Sequence, residues 1–160
     1  MAVNRGKDFE HEIFQALDKV PNVSIDRYPD PMAGFAGIRN ICDFGVFRAP
    51  NFVYIECKSK HGNTLNFKND ITESQWKGLL EKSAITGVFA GIIVWFIDHD
   101  VTAFVPIQEF QRLKDEGAYS LNIKDLKAGN VQNVPVSGKK RRILFSYEGQ
   151  KFLDDLQNYF

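Results

Sequence analysis

The chain has 160 residues, of which 44% are apolar and 25% are charged, with 6 prolines and 12 glycines. This composition excludes a disordered tail and predicts a single domain over residues 1–160 with enough apolar side chains to bury a core. Basic and acidic residues number 20 each, so the formal net charge is zero and any nucleic-acid-binding surface must be local.

Cysteine content and hydropathy narrow the class of protein further. Cys42 and Cys57 are too few for a disulfide framework, and neither belongs to a CxxC pair of the kind that binds structural zinc. The longest apolar stretch, residues 87–97, is about half as long as a membrane span, and no apolar run follows residues 1–5. We therefore expect an intracellular, cytoplasmic protein that has no membrane partner.

Hydrophobic spacing predicts both helices and strands. Apolar side chains recur at helical intervals in residues 8–20, and a capping box at residues 72–75 begins a helix that ends near Gly87. Residues 88–97 are continuously apolar, as expected of a central strand covered on both faces. The other predicted elements are strands at 23–27, 41–48, 52–58, 101–105 and 142–147, helices at 106–114 and 148–159, and loops at 28–40 and 60–69, whereas residues 117–135 are ambiguous. This order predicts an α/β (α+β) fold with a mixed central β-sheet flanked by helices.

The most informative segment is the pair of strands at residues 41–48 and 52–58. Side chains alternate between the two faces of a strand, so Glu56 and Lys58 are predicted to share one face. If Ala49 and Pro50 form a two-residue hairpin loop, the register places Asp43 directly opposite Glu56. The hairpin then brings two carboxylates and an ammonium group together.

Two directly opposed carboxylates destabilise a sheet, so a cation is expected between them. Mg²⁺ fits this position because it binds oxygen ligands and typically takes one or two carboxylates together with waters and phosphate. Lys58 would then position the attacking water and offset the negative charge that develops on a phosphate. The alternative is a surface ladder of ion pairs across two strands.

The spacing of Asp43 and Glu56-Cys57-Lys58 resembles the signature of the PD-(D/E)xK nuclease superfamily. The segment Asn4-Arg5-Gly6, followed by Glu10, is similar to the start of RecU-type Holliday junction resolvases, and the Arg-Gly-x-x-x-Glu pattern is also similar to archaeal resolvases. Gln75 resembles the glutamine that RecU-type enzymes carry on the helix after the acid-x-Lys strand. The resemblance covers residues 4–113.

This resemblance implies a restriction-endonuclease-like core and a Mg²⁺-dependent endodeoxyribonuclease, with Mn²⁺ as a possible substitute for Mg²⁺. The metal would be bound by Asp43, Glu56 and the backbone carbonyl of Cys57, and Glu10 and Gln75 would complete the catalytic set. It also implies a bacterial or phage-encoded homodimer that resolves four-way junctions in DNA recombination and repair, since two opposed strands need two sites.

The chain departs from the RecU pattern at two places. The family has a threonine two positions before the hairpin aspartate, where this sequence has Ile41, which offers no hydroxyl group. The loop at residues 28–40 is much shorter than the stalk with which RecU-type enzymes enter the junction centre. Other substrates therefore stay open, as for a flap, restriction-like or phage-type nuclease of the same superfamily. A catalytically inactive DNA-binding module is a further alternative.

Basic residues around the motif are candidates for DNA contacts. The alternative is a frayed basic terminus for Arg5 and Lys7, and simple solvation for the loop after the acid-x-Lys strand. The basic residues occur before the first helix, in the loop after the acid-x-Lys strand, and in a basic run near the C-terminus. The candidates are Arg5, Lys7, Lys60, His61, Lys68, Lys139, Lys140, Arg141 and Arg142. The run at residues 98–100, Asp-His-Asp, is interpreted as a tight turn rather than a metal site.

Overall fold

The structure is a computed structural model that describes residues 3–29 and 40–159 of the chain. In chain order its elements are α1 (Arg5–Asp18), β1 (Ser24–Arg27), β2 (Phe44–Arg48), β3 (Asn51–Lys60), β4 (Thr64–Asn66), α2 (Phe67–Asp70), α3 (Glu73–Ser83), β5 (Val88–Phe96), β6 (Val101–Pro106), α4 (Ile107–Asp115), β7 (Ser120–Asn122), α5 (Ile123–Ala128), β8 (Val134–Pro135), β9 (Gly138–Arg141), β10 (Leu144–Tyr147) and α6 (Gly149–Tyr159).

The described residues form one main sheet with the strand order β1-β2-β3-β5-β6-β8. Strands β3 and β5 are parallel, and every other neighbouring pair in this sheet is antiparallel. Two short antiparallel pairs, β9–β10 and β4–β7, lie outside it. Helices pack on both faces, so the predicted fold class, a mixed central β-sheet flanked by helices, is confirmed. Within the described residues no helix is long and apolar enough to span a membrane.

The sheet separates two hydrophobic clusters. One contains the apolar faces of α1 and α6 together with Ile93 and Trp95 of β5, and the other contains α3, α4 and α5 together with Ile92, Val94 and Phe96. Alternate side chains of β5 thus enter opposite cores, which explains why its sequence is apolar at every position. The prediction of a central strand at residues 88–97 is confirmed.

A close contact brings α3 near the start of the β2–β3 hairpin. A Cβ atom added to Gly78 would lie 2.2 Å from the Ile41 side chain, so only glycine allows this approach. Ile41, the position where the RecU pattern has threonine, is thereby packed against α3. This packing sets the N-terminal turn of α3 beside the hairpin.

Several boundaries differ from the predictions for local reasons. Helix α1 begins at Arg5 rather than at residue 8, because the Asn4 side chain accepts a hydrogen bond from the Lys7 amide as an N-cap. The predicted loop at 60–69 instead contains β4 and α2, and Asn66 caps α2 by accepting from two backbone amides. The predicted strand at 142–147 is one arm of the β9–β10 hairpin. Most of the predicted loop at 28–40 lies outside the described residues.

Candidate active site

The β2–β3 hairpin has the register that the sequence predicts. Arg48 pairs with Asn51 across the two-residue loop, and the pairing continues to Phe44 and Ile55. One step further, Asp43 lies opposite Glu56, and the Asp43 amide donates a 3.0 Å hydrogen bond to the Ile55 carbonyl. The backbone therefore fixes the two acidic residues side by side just before the start of β2.

The Asp43 side chain is held by backbone as well. Its Oδ2 accepts a 2.7 Å hydrogen bond from the Cys57 amide, a contact that leaves Oδ1 available for another partner. The amide and the carbonyl of one strand residue point toward the same edge. The Cys57 carbonyl consequently faces the side of β3 on which Asp43 lies, before the start of β2.

Glu56 is only 4% exposed, and its carboxylate is paired by neighbours on the same face of the sheet. Its Oε1 accepts from the Lys58 Nζ at 2.9 Å and from the Gln75 Nε2 at 2.8 Å. The predicted sharing of one face by Glu56 and Lys58 is confirmed. Cys57, between them, packs against the opposite core with α1.

Gln75 combines two contacts. As the third residue of α3 it closes a capping box, in which its Oε1 accepts from the Thr72 amide at 3.0 Å and its own amide donates to the Thr72 hydroxyl at 3.2 Å. The remaining side-chain group, Nε2, is directed at Glu56. The capping box therefore fixes the rotamer that brings α3 into contact with the acidic pair.

Burial of the two acids makes their charges unfavourable. Burial, followed by the charge of Glu56, raises the pKa of Asp43 to about 8, although the Cys57 amide acts in the opposite direction. Burial also raises the pKa of Glu56, against the effect of Lys58. Asp43 and Glu56 lie opposite each other across the hairpin, close enough for the charge of Glu56 to raise the pKa of Asp43. Two carboxylates this close to each other repel, so a proton or a cation between them is favourable.

The donor set fits a hard divalent cation. Two carboxylates and one backbone carbonyl supply oxygen ligands, as Mg²⁺ and Mn²⁺ prefer, and they leave coordination positions for water and phosphate. Within the described residues no three His, Cys, Asp or Glu side chains converge on one metal position. A cation here would therefore be held by Asp43, Glu56 and the Cys57 carbonyl, without a third acidic side chain.

Glu10 lies close enough to the pair for its charge to raise the pKa values of both Asp43 and Glu56. Its own Oε1, however, accepts a 2.7 Å ion pair from Arg27 at the end of β1. Arg27 was not predicted, because its contact with Glu10 depends on how β1 packs against α1 and has no local sequence signal. The structure places Glu10 at the rim of the acidic pair.

The basic residues of the N-terminus and of the loop after β3 occupy different environments. Arg5 and Lys7 lie in the first turn of α1. Lys60 forms a 2.8 Å ion pair with Asp70, and His61 contacts Asp98 at 2.9 Å. Lys68, at the start of α2, is exposed. The turn at residues 98–100 thus anchors the loop after β3, which agrees with its interpretation as a turn.

The run Lys139, Lys140, Arg141 and Arg142 forms one arm and the turn of the β9–β10 hairpin, which packs on the α1 side of the sheet. Lys140 forms a 2.6 Å ion pair with Asp100, and Arg141 forms a 2.6 Å ion pair with Glu12. Two of the four cations are thus paired with carboxylates of the same chain, at half-exposed positions. Gln75 lies on the opposite side of the sheet, with α3.

No family model and no curated protein matches this sequence. Among solved structures, the chain is similar to Hjc of Archaeoglobus fulgidus, described as a Holliday junction resolvase from an archaeal hyperthermophile. The two chains are 19% identical, and the similarity covers 65% of this chain and 78% of Hjc with a TM-score of 0.47.

Proposed function

We propose that the protein is a Mg²⁺-dependent DNA endonuclease whose reaction centre consists of Asp43, Glu56 and Lys58. The observation that carries this proposal is the position of Asp43 opposite the buried Glu56 at the β2–β3 hairpin, with the Lys58 ammonium 2.9 Å from the Glu56 carboxylate. A surface ion-pair ladder would be exposed, whereas Glu56 is 4% exposed. Such a pair costs folding free energy unless a cation neutralises it, so a binding role accounts for it best.

Each residue of the centre has a separate task. Asp43, Glu56 and the Cys57 carbonyl would bind the cation, and a bound Mg²⁺ supplies Lewis acidity toward a phosphate oxygen. Lys58 orients the attacking water and offsets the charge that develops on the scissile phosphate. Gln75 keeps the Glu56 carboxylate in one orientation through its 2.8 Å hydrogen bond. Glu10 adds negative charge at the rim of the site.

The substrate is proposed to be a four-way DNA junction, and the active form a homodimer. Both follow from the sequence resemblance to RecU-type resolvases, which cut two opposed strands with two sites. A flap or linear duplex is the substrate expected if the short segment at residues 28–40 does not contact a branch point.

The test is cleavage of labelled four-way junction, flap, linear duplex and single strand by the purified protein, in Mg²⁺, in Mn²⁺ and in EDTA. The proposal predicts metal-dependent cutting, with the junction as the preferred substrate. Metal-dependent cutting without junction preference would retain the nuclease and reject the resolvase. Binding of DNA without cleavage of any substrate in either metal would support the inactive binding module instead.

A further inference from the structure

A groove lies next to the proposed reaction centre. It has a volume of about 890 Å³ and lies between α2, the start of α3 and the segment before β7. This volume is within the range of roughly 300–1,000 Å³ for ligand pockets. Two adjacent residues of α3 connect the groove with the reaction centre: Gln75 contacts Glu56, and Trp76 lines the groove.

The floor and wall of the groove are aromatic. The rings of Phe67 and Trp76 pack edge to face with centroids 5.4 Å apart, and both residues are largely buried. Tyr119 stands at the rim and is 84% exposed. The Phe67 amide donates to the Tyr119 carbonyl at 3.0 Å, so the backbone carries this exposed ring next to the buried pair. An exposed tyrosine beside buried aromatic rings is suited to stack on a planar group.

The rim of the groove is basic, although the chain as a whole is neutral. Three lysines line it against a single glutamate: Lys68, Lys77 and Lys114 against Glu73. Glu73 pairs with Lys77 at 2.7 Å, and the Lys114 Nζ lies 5.0 Å from the Trp76 ring centroid. Among the described residues, Lys68 and Lys114 have no carboxylate within ion-pair distance. The groove thus combines an aromatic surface with uncompensated positive charge.

We propose that this groove binds an unpaired nucleotide of the DNA substrate, with its base against Tyr119 and its phosphates near Lys68 and Lys114. Aromatic rings and lysines together match a nucleotide, which has a planar base and an anionic backbone. An anion without a planar group would not account for the aromatic wall. The proposal rests on the proposed nuclease function and adds to it that a nucleotide near the cut is unpaired, or becomes unpaired where strands separate at a branch point.

The test is binding in EDTA, where no cleavage occurs, of three labelled probes: an oligodeoxythymidylate of about ten nucleotides, the same backbone with abasic sites, and a linear duplex. Wild type is expected to prefer the oligodeoxythymidylate over the abasic strand. Tyr119→Ala should weaken oligodeoxythymidylate binding about tenfold and change duplex binding by less than about twofold. The matched control is Phe47→Ala, an exposed aromatic on β2, which should not change either affinity.

The lysines have a second readout. Lys68→Ser and Lys114→Ser should each reduce the slope of log affinity against log salt by about 0.7 for the single strand. Lys151→Ser on α6, in the opposite layer, should leave it unchanged. Equal binding of the abasic and thymidine strands, or the same behaviour of Tyr119→Ala and Phe47→Ala, would overturn the groove proposal.

Different results would contradict the groove proposal and the nuclease proposal. If wild type cleaves DNA in Mg²⁺ while Tyr119→Ala and Phe47→Ala bind alike, the nuclease stands and the groove proposal is overturned. If the oligodeoxythymidylate binds with the expected dependence on Tyr119 but no substrate is cleaved, the groove is supported as a binding site and the nuclease is rejected. Equal displacement of the oligodeoxythymidylate by a polyglutamate peptide would also overturn the groove, because that anion has no base.

Discussion

Two acidic regions of this protein, Glu109 on α4 and the Asp43–Glu56 pair at the hairpin, have pKa values shifted in opposite directions. Glu109, 7% exposed on α4, accepts from the Arg112 Nη2 at 2.9 Å and from the Gln132 amide at 2.8 Å. Burial acts to raise the pKa of Glu109, but Arg112 and Gln132 outweigh it, and the pKa lies below its usual value. At the hairpin, burial and mutual repulsion prevail, and the pKa of Asp43 is raised to about 8.

The difference lies in how the charge of a structural carboxylate and the charges of a functional carboxylate pair are compensated. Glu109 accepts from the Arg112 guanidinium, which also pairs with the exposed Glu116, and from the Gln132 amide in the chain after α5. Asp43 and Glu56 carry two potential charges against the single ammonium of Lys58. An uncompensated buried pair is unfavourable for stability alone, and such sites concentrate where function needs them.

The largest expected effect is that of removing one acid of the pair. Asp43→Asn should reduce metal-dependent cleavage by a factor of about a thousand or more, because a metal ligand is lost. The same change should raise the melting temperature of the metal-free protein, because it relieves carboxylate repulsion. Cleavage assays at saturating Mg²⁺ and thermal denaturation in EDTA measure the two effects. Wild-type turnover by this variant would reject the site.

Substitutions of Lys58 and Lys60, both on β3, should distinguish a catalytic effect from an effect on DNA binding. Lys58→Ala should lower the cleavage rate about a hundredfold while metal binding is retained, since the ammonium acts on water and on developing charge. Lys60→Ala, which loses an ion pair with Asp70, should affect the apparent affinity for DNA and not the rate at saturation. Single-turnover cleavage and calorimetric metal titration distinguish these outcomes. Normal cleavage by a Lys58→Ala variant that binds Mg²⁺ poorly would show that the lysine serves the metal instead.

Much of the site follows from local sequence rules. The alternation of a strand and the two-residue loop place Asp43 opposite Glu56, and the capping-box pattern identifies Gln75 as the third residue of α3. Both predictions depend on short-range geometry, which sequence spacing determines. The contact from Gln75 to Glu56 depends on how α3 packs against the hairpin, where Gly78 lies against Ile41, and spacing does not encode this packing.

The short elements were harder to predict. Strands β4 and β7 contain three residues each and pair across a separation of more than fifty residues, so neither carries a periodic signal of its own. The aromatic groove depends on this pairing, since β7 brings Tyr119 beside Phe67. Similarly, Lys140 and Arg141 look like an unpaired basic cluster in the sequence, whereas Asp100 and Glu12 neutralise them in the fold.

The structural role of Glu109 is tested by Glu109→Gln, which removes a buried carboxylate charge as Asp43→Asn removes one from the hairpin pair. It should lower the free energy of unfolding at neutral pH by about 1–2 kcal/mol, because charge-assisted hydrogen bonds to a partly exposed arginine are lost. Cleavage per folded molecule should be unchanged. Chemical denaturation provides the measurement, and an increase in stability would place Glu109 in the same class as Asp43.

The effect of Glu109 should depend on pH in a defined direction. Because its pKa is lower in the folded protein than in the unfolded chain, where glutamate titrates near about 4.3, its stabilising contribution is complete above that pH. It is lost as the pH falls through the lower, folded value. The stability difference between wild type and Glu109→Gln should therefore shrink below about pH 4. A difference that grows in acid would contradict the assigned pairing.

The smallest effect is expected from the basic run at residues 139–142. Replacing all four residues by serine would lower the log–log salt slope of duplex binding by about 3–4 units if each contacted phosphate. Because Lys140 and Arg141 are already paired with Asp100 and Glu12, we expect a decrease of about 2 units or less. An unchanged slope would exclude the run from the DNA-binding surface.

The central claim is that the Asp43–Glu56 pair is built to hold a divalent cation. Calorimetric titration of Mn²⁺ into wild type, Asp43→Asn and Glu109→Gln tests it without requiring a substrate. The account predicts saturable binding by wild type and by Glu109→Gln, and loss of that binding in Asp43→Asn. Equal binding by Asp43→Asn and wild type, or no binding by folded wild type, would contradict it.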